Sequence, residues 1–172
     1  MWCREGIRGQ LYGWISKIHS SGVVTFTPNA PSPAALPVAE PVLAVYWMDT
    51  EGARVFYRET DDANIINLAH NEVNIQYRYG SKFRVKSVVI ITWEGGRPRD
   101  SDADGNVFQL ALIIGDSMTF AHIVYSKLNS NDNAVVRYLC PALKPFMDCV
   151  SQVGGLLNLG WILHVEHLVL TS

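Results

Sequence analysis

Short connections join the strand-like segments of this chain, and their length restricts the fold. Residues 83–92 form a long strand-like segment that has one polar face at first and is apolar on both faces towards its end. Residues 107–114 and 118–125 are strand-like segments separated only by the turn 115–117. A parallel crossover takes a dozen or more residues, so a connection of hairpin length joins antiparallel strands. The pattern therefore predicts a mainly antiparallel β structure.

The first 41 residues contain one hairpin signal and one loop signal. Residues 14–19 and 23–26 are strand-like and flank the Ser-Ser-Gly sequence at 20–22, which predicts a hairpin. Residues 27–41 contain repeated prolines, which remove backbone donors and fix φ. We expect an extended loop there.

A second hairpin is predicted in the following stretch. Residues 42–47 form a nearly continuous apolar run of strand length, which is typical of a strand covered on both faces. Residues 54–59 are strand-like and follow after the turn-like residues 49–52. The short spacing predicts that these two segments pair with each other.

Residues 62–77 have a helical period instead. Thr60, Asp61 and Asp62 supply capping oxygens and negative charge at the start, and Gly80 can adopt the left-handed conformation that ends a helix. One amphipathic helix is predicted, whose inward residues follow helical spacing: Ile65, Leu68, Ala69, Glu72, Val73 and Gln76.

The length and composition permit one sizeable core. The chain has 172 residues, of which 48% are hydrophobic, and a second independent domain is not expected at this size. The predicted fold class is α+β, a mainly antiparallel β-sheet or sandwich with one packed amphipathic helix. We divide the chain into an N-terminal hairpin and proline-rich loop at 1–41, a core at 42–136 and an unassigned segment at 137–172.

The charge pattern excludes two classes of partner. The formal net charge is −2, and the charged residues are scattered rather than clustered, so neither a nucleic-acid surface nor a basic membrane-surface helix is predicted. The apolar end at 150–170 is interrupted by Asn158, His164, Glu166 and His167, which argues against a membrane span. Residues 1–6 show no basic leader followed by an apolar run.

Several ordered motifs resemble one family. They are Tyr46-Trp47-x-Asp49, Tyr57-Arg58-Glu59-Thr60, Thr92-Trp93 and Asn106-x-Phe108-Gln109, preceded by the approach strand at 19–26. In order and spacing they resemble the nidogen-type extracellular domain, NIDO, found in nidogens, alpha-tectorin and a transmembrane mucin. Two departures are the Gly115-Asp116 turn, which reverses the family's Asp-Gly, and the Glu94-Gly95-Gly96 sequence after the tryptophan. The motif residues are Trp47, Asp49, Tyr57, Arg58, Glu59, Thr60, Thr92, Trp93, Phe108 and Gln109.

The resemblance implies a function that the residues alone do not supply. It implies a non-catalytic, extracellular or cell-surface module that contributes to cell-matrix adhesion by binding matrix or cell-surface proteins. Binding is expected from the loops at 27–41 and 95–105, because loops vary while a core stays fixed. The alternative is a small-ligand-binding domain or an enzyme on the same β scaffold, which requires a deep pocket with converging polar groups.

The aromatic residues of the motifs allow two interpretations. Trp47, Tyr57 and Trp93 could form a ligand platform, but aromatic residues in strands more often fill a core. We expect Trp47, Tyr57, Phe108 and Phe120 to join the strands and the helix in one packed body. Arg58 and Glu59 are expected at the junction between strand and helix, where a carboxylate near a helix start is favoured.

One short acidic segment suggests a metal. Asp100, Asp102 and Asp104 alternate before Gly105, and carboxylates in this arrangement can place hard oxygen ligands around one Ca²⁺. The closing bidentate Glu of the helix-loop-helix pattern is missing, because Ala111 stands at its position. The alternative is a solvated acidic hairpin loop without a cofactor.

Overall fold

The computed structural model describes residues 3–4, 15, 17–26, 42–77, 83–99, 102, 104–115, 119–128, 134–139 and 161–165. The elements in this part of the chain are β1 (Cys3–Arg4), β2 (Lys17–His19), β3 (Val23–Thr25), β4 (Val42–Trp47), β5 (Thr50–Glu51), β6 (Arg54–Thr60), α1 (Ala63–Tyr77), β7 (Val85–Pro98), β8 (Asn106–Gly115), β9 (Thr119–Lys127), β10 (Val135–Leu139) and β11 (Trp161–Val165). The predicted α+β class, mainly antiparallel with one helix, is confirmed.

The strands form two antiparallel sheets. The large sheet has the order β1-β6-β7-β8-β9-β11, with β5 paired to the end of β7, and the small sheet has the order β10-β4-β3-β2. The hairpin of β2 and β3 is confirmed, and Gly22 in its turn has a φ of 81°. The hairpin of β7 and β8 and that of β8 and β9 are also antiparallel, as hairpin-length connections require.

The predicted pairing of residues 42–47 with residues 54–59 is wrong. β4 pairs with β3 and β10 in the small sheet, whereas β6 pairs with β1 and β7 in the large sheet. All residues of β4 are buried, because the strand lies in the middle of its sheet with both faces covered. The turn-like residues after β4 therefore carry the chain from one sheet to the other.

The helix begins as predicted. The Asp62 Oδ1 accepts hydrogen bonds from the backbone N–H of Asn64 at 3.0 Å and of Ile65 at 3.3 Å, and the Thr60 Oγ1 accepts one from the Asp62 N–H at 3.1 Å. These oxygens satisfy donors that the first turn leaves unpaired.

The helix packs on the outer face of the large sheet. Its buried residues Ala69 and Val73 form a cluster with Phe83, which precedes β7, and with Val88 and other residues of the sheet. Leu68, which we expected on the inward side, is instead exposed. Successive helix residues are about 100° apart around the axis, so Leu68 is turned well away from the line through Ala69 and Val73.

The two sheets enclose the main core. Its buried members from the small sheet include Leu43, Val45 and Tyr46, and those from the large sheet include Trp93 and Phe108. A third, smaller cluster contains Val23, Val42, Ala44 and Trp47. The molecule is therefore a sandwich with a helix on one outer face.

The prediction that four aromatic residues pack in one body is wrong, because they lie in three different clusters. Phe108 and Tyr57 belong to the core between the sheets, Phe120 lies under the helix, and Trp47 lies in the third cluster. Tyr46, and not Trp47, lies in the core between the sheets.

The cause is a β-bulge in β4. Gly22 O accepts hydrogen bonds from both Val45 N at 3.0 Å and Tyr46 N at 3.2 Å, so two residues of β4 lie opposite Gly22, the turn residue directly before β3. The pairing of β4 with β10 shifts register at the same place. The extra residue reverses the alternation of side chains beyond it, which turns Trp47 away from the main core.

Candidate functional site

Part of the large sheet's outer face lies outside the cluster that packs under the helix. Side chains alternate along each strand, so the neighbours of core residues such as Trp93 and Phe108 point to this outer side. We call this area the open face. It consists of Arg54, Phe56, Thr92, Glu94, Gln109 and Val124, which range from half-buried to exposed.

The residues of the open face form a row across four strands. Phe56 is opposite Thr92, Thr92 is opposite Gln109, and Gln109 is opposite Val124. The Gln109 amide Nε2 donates a hydrogen bond to the Thr92 Oγ1 at 2.8 Å. Two residues of the family motifs therefore contact each other outside the core, which places them where a partner can reach them.

Beside this row is a charged and aromatic group. The Arg54 Nη2 lies 2.8 Å from the Glu94 Oε2, and the guanidinium carbon lies 6.0 Å from the centre of the Phe56 ring. An arginine held by a carboxylate and an aromatic ring is partly preorganised, and arginine and aromatic residues are enriched in protein interfaces. This arrangement suits contact with another protein.

The ligand-platform interpretation does not fit Trp93. Its ring stacks on Phe108 at 5.1 Å between centroids, and Tyr46 approaches Phe108 at 5.4 Å. Trp93 Nε1 donates a hydrogen bond to the His19 carbonyl at 2.7 Å, and the Tyr125 hydroxyl donates one to the Val45 carbonyl at 2.7 Å. Burial raises the pKa of Tyr125, which keeps its hydroxyl protonated as a donor. These side chains bind the two sheets together.

The Asp49 motif residue forms an exposed ion pair at the crossing between the sheets. Its carboxylate accepts hydrogen bonds from Arg99 Nε at 3.3 Å and Nη2 at 3.2 Å, and the neighbouring Glu51 is paired with Arg97 at 3.2 Å. We did not single out Arg97 or Arg99 from the sequence. The sequence does not show that these arginines form ion pairs, because they come opposite Asp49 and Glu51 only when β5 pairs with β7.

The remaining motif residues lie near the start of the helix. Thr60 accepts the capping hydrogen bond described above, Arg58 is half-buried, and Glu59 is exposed. Desolvation raises the pKa of Glu59, a hydrogen bond with Ser87 acts in the opposite direction, and the charge of Asp61 adds to the rise. Glu59 therefore supports the junction through the neighbouring strand β7.

The acidic segment is only partly described. Asp100 lies outside the described residues, Asp102 is exposed, and Asp104 Oδ2 is paired with Lys127 Nζ at 2.8 Å. The hydrogen bond and charge of Lys127 lower the pKa of Asp104. Within the described ranges, no group of three or more His, Cys, Asp or Glu residues could hold a metal ion.

The calcium interpretation stays a prediction. It requires that Ca²⁺ added to the chain releases or absorbs heat and raises the melting temperature, because a ligand that binds only the folded state stabilises it. The loop interpretation requires neither change. Calorimetric titration with Mg²⁺ as the matched ion separates specific binding from a general effect of divalent charge.

His19 makes the stability of the small sheet depend on pH. Burial and then the charge of Lys17 lower the pKa of His19 from 6.5 to about 4, and its Nε2 lies 3.3 Å from the Thr25 Oγ1. The unfolded chain binds the proton more readily than the folded one, so stability is lost as the pH falls from about 6.5 towards 4.

We expect His19→Gln to reduce this loss, because glutamine keeps a polar group but does not titrate. Melting temperatures of both proteins at steps between pH 7 and pH 4 measure the difference. His122, whose pKa is lowered by burial, supplies a comparison through His122→Gln. Equal pH profiles for wild type and His19→Gln would contradict the assignment.

Of the two predicted binding loops, the structure describes only part of the one at 95–105. The loop at 27–41 lies outside the described residues. Residues 95–98 of the predicted loop at 95–105 belong instead to a strand, because β7 continues to Pro98 and pairs there with β5. No helix in the described part of the chain has the length and apolar character needed to cross a membrane.

Comparisons with known proteins place these features in a family. The family model described as the nidogen-like domain, NIDO, matches residues 15–136. Dendrite extension defective protein 1 of Caenorhabditis elegans is 32% identical over 126 residues, and Nidogen of Drosophila melanogaster is 28% identical over 125 residues. No solved structure matches the chain.

The two alignments cover 68% and 67% of this chain but only 11% and 9% of the relatives. The chain thus spans about a tenth of the length of the curated relatives that it matches. The family model includes strands of both sheets, the helix and every motif residue named above. The chain belongs to the nidogen-like (NIDO) domain family.

Proposed function

We propose that this chain is a non-catalytic, extracellular or cell-surface module that contributes to cell-matrix adhesion by binding other proteins of that environment. Membership of the nidogen-like family supports the proposal, as does the match to a protein named Nidogen. The aromatic residues considered as a ligand platform are used in packing, which favours a binding module over a ligand pocket.

The open face carries the proposal most directly. Thr92 and Gln109 alternate with the core residues Trp93 and Phe108, so the same two motifs supply both the core and the outer surface. A partner that contacts this surface would meet Arg54 and Phe56 beside a hydrogen-bonded polar pair. Interfaces combine such aromatic and arginine anchors with polar groups around them.

The test is a binding assay of the secreted chain on cell-derived extracellular matrix. We expect wild type to bind and Arg54→Ala to bind about tenfold more weakly, since loss of an interface anchor costs about 1.4 kcal/mol or more. The matched control is Arg97→Ala, because Arg97 forms a similar ion pair at the end of β7. The arginine side chains of the two pairs are equally exposed, at 48%.

The control also tests the loop at 95–105 as the binding surface. If the loop binds, Arg97→Ala loses affinity and Arg54→Ala does not. Failure of the wild-type chain to be secreted, or to bind matrix above the level of an unrelated β domain, would count against an adhesive function. Alanine substitution across 27–41 in the same assay tests the other predicted loop.

A further inference from the structure

Helix α1 exposes two large apolar side chains in register. Leu68 is 69% exposed and Ile75 is 71% exposed, and among the described residues they are the most exposed large hydrophobic side chains. They are seven residues apart, which is close to two helical turns and about 10 Å along the axis. Both therefore lie on the same side of the helix, away from the buried Ala69 and Val73.

These two residues belong to a regular line, which we call the seam. It consists of Asn64, Leu68, Asn71 and Ile75, with spacings of four, three and four residues. That is the spacing at which one helix contacts another along its length. A single helix on a sheet does not need such a pattern on its solvent side.

The exposed side of the helix is also uncharged. A surface helix usually carries charged residues opposite its buried stripe. None is found among the exposed side chains described on α1, which are Ala63, Asn64, Asn67, Leu68, Asn71 and Ile75. A partner for this side must therefore be neutral, because burying an unpaired charge against it would be costly.

We propose that α1 pairs with the same helix of a second copy of this chain, antiparallel across a two-fold axis near Asn71. The midpoint between Leu68 and Ile75 falls beside Asn71, so the axis brings Leu68 of one copy against Ile75 of the other. The four seam residues meet their copies without like-charge repulsion, and the neighbouring carboxylate, Glu72, is half-buried and acts electrostatically on His122 of β9. A two-fold interface requires such self-complementarity. The opposed helix dipoles also favour the antiparallel arrangement.

Asparagine at the centre favours a second copy over a purely apolar partner. An amide carries both donors and an acceptor, so the Asn71 side chains of two copies can hydrogen-bond to each other across the axis. An apolar surface laid on the seam would leave the Asn71 amide without a partner, at a cost of about 1–3 kcal/mol for each buried group.

The size of the seam indicates a weak dimer. A contact of a few helical turns is smaller than a standard interface of about 1,600 Å², so we expect a dissociation constant on the order of 10⁻⁵ to 10⁻³ M. Where many copies are held together in a matrix, a high effective concentration makes such weak pairing effective. This self-association is separate from the binding proposed for the open face.

The experiment measures sedimentation of the full chain from about 10 μM to 1 mM, the range in which a weak dimer dissociates. We expect wild type to shift from monomer to dimer, and both Leu68→Glu and Ile75→Lys to remain monomeric. Ala63→Glu is the matched control for Leu68→Glu, because it adds the same negative charge to the same helix about 100° from the seam. The Ala63→Glu variant should dimerise like wild type. Circular dichroism of each variant establishes that the helix is intact.

A mixture of the two variants tests the geometry. In the antiparallel pair, Glu at 68 of one copy faces Lys at 75 of the other, while Ile75 and Leu68 still pack together. An equimolar mixture of Leu68→Glu and Ile75→Lys should therefore form heterodimers. A monomeric wild type at 1 mM, a dimer unaffected by Leu68→Glu, or a mixture without heterodimer would overturn the proposal. Matrix binding at low concentration should be unchanged in Leu68→Glu, so this outcome is independent of the adhesive function.

Discussion

Replacing Trp93 by alanine is expected to destabilise the chain by about 3–5 kcal/mol, because it leaves a cavity the size of an indole ring in the core. The side chain is fully buried, stacks on Phe108 and donates to the His19 carbonyl of the small sheet. It therefore contributes to both the packing and the hydrogen bonding between the two sheets. Small domains have only about 5–15 kcal/mol of stability in total, so the secreted yield should fall as well.

Chemical denaturation of wild type and variant measures this loss as a shift in the midpoint. Trp93→Phe separates packing from hydrogen bonding, because phenylalanine keeps much of the packing but removes the indole donor from the His19 carbonyl, which still accepts the Gly22 N–H at 3.1 Å. The loss of this one hydrogen bond should cost about 0.5–1.5 kcal/mol. Val124→Ala is the control for a substitution at an exposed apolar residue of the same sheet, and it should change stability by at most about 0.5 kcal/mol. A wild-type midpoint for Trp93→Ala would contradict the described core.

Replacing Gly22 by alanine is the second large expected effect, about 3 kcal/mol or more from backbone strain plus a steric clash. Gly22 has a φ of 81°, and a Cβ atom built there would overlap the Tyr46 carbonyl. Its own carbonyl accepts the two hydrogen bonds that form the β-bulge of β4. Any movement that relieves the clash must therefore disturb the strand in the middle of the small sheet.

Gly52→Ala separates the strain from the clash. Gly52 has a φ of 70°, but the nearest heavy atom to a Cβ built there is the Gly95 carbonyl oxygen at 3.8 Å, which is ordinary contact. Only the left-handed backbone should cost energy, about 1–2 kcal/mol. Thermal unfolding of the two variants under the same conditions compares them. Equal losses at the two positions would show that the close approach to Tyr46 contributes nothing.

The positions of several elements were predictable because their signals are local. The helix has its own period and its capping residues Thr60 and Asp62 in sequence, and a capping oxygen acts within three residues. The hairpins around Gly22 and between β8 and β9 are likewise fixed by short connections between strands with the correct pattern. The ordered motifs were also sufficient to indicate the family that the comparisons found.

The partner of each strand was less predictable. Residues 42–47 and 54–59 looked like a hairpin, because a short connection between two strands usually pairs them. The choice between pairing with residues 54–59 and crossing to a second sheet depends on which other strands form hydrogen bonds with the two edges of β4. β3 pairs with one edge, and β10, from residues far along the chain, pairs with the other. A local pattern cannot reveal that distant partner.

The sequence by itself determined the antiparallel β character, the helix with its cap and the family motifs, because each depends on residues a few positions apart. Only the tertiary structure decided which side of β4 faces the main core. The bulge opposite Gly22 reverses the alternation, so that Tyr46 enters the core and Trp47 leaves it. A period of two fixes side-chain direction only while the ladder is unbroken, and the break comes from contact with strands distant in sequence.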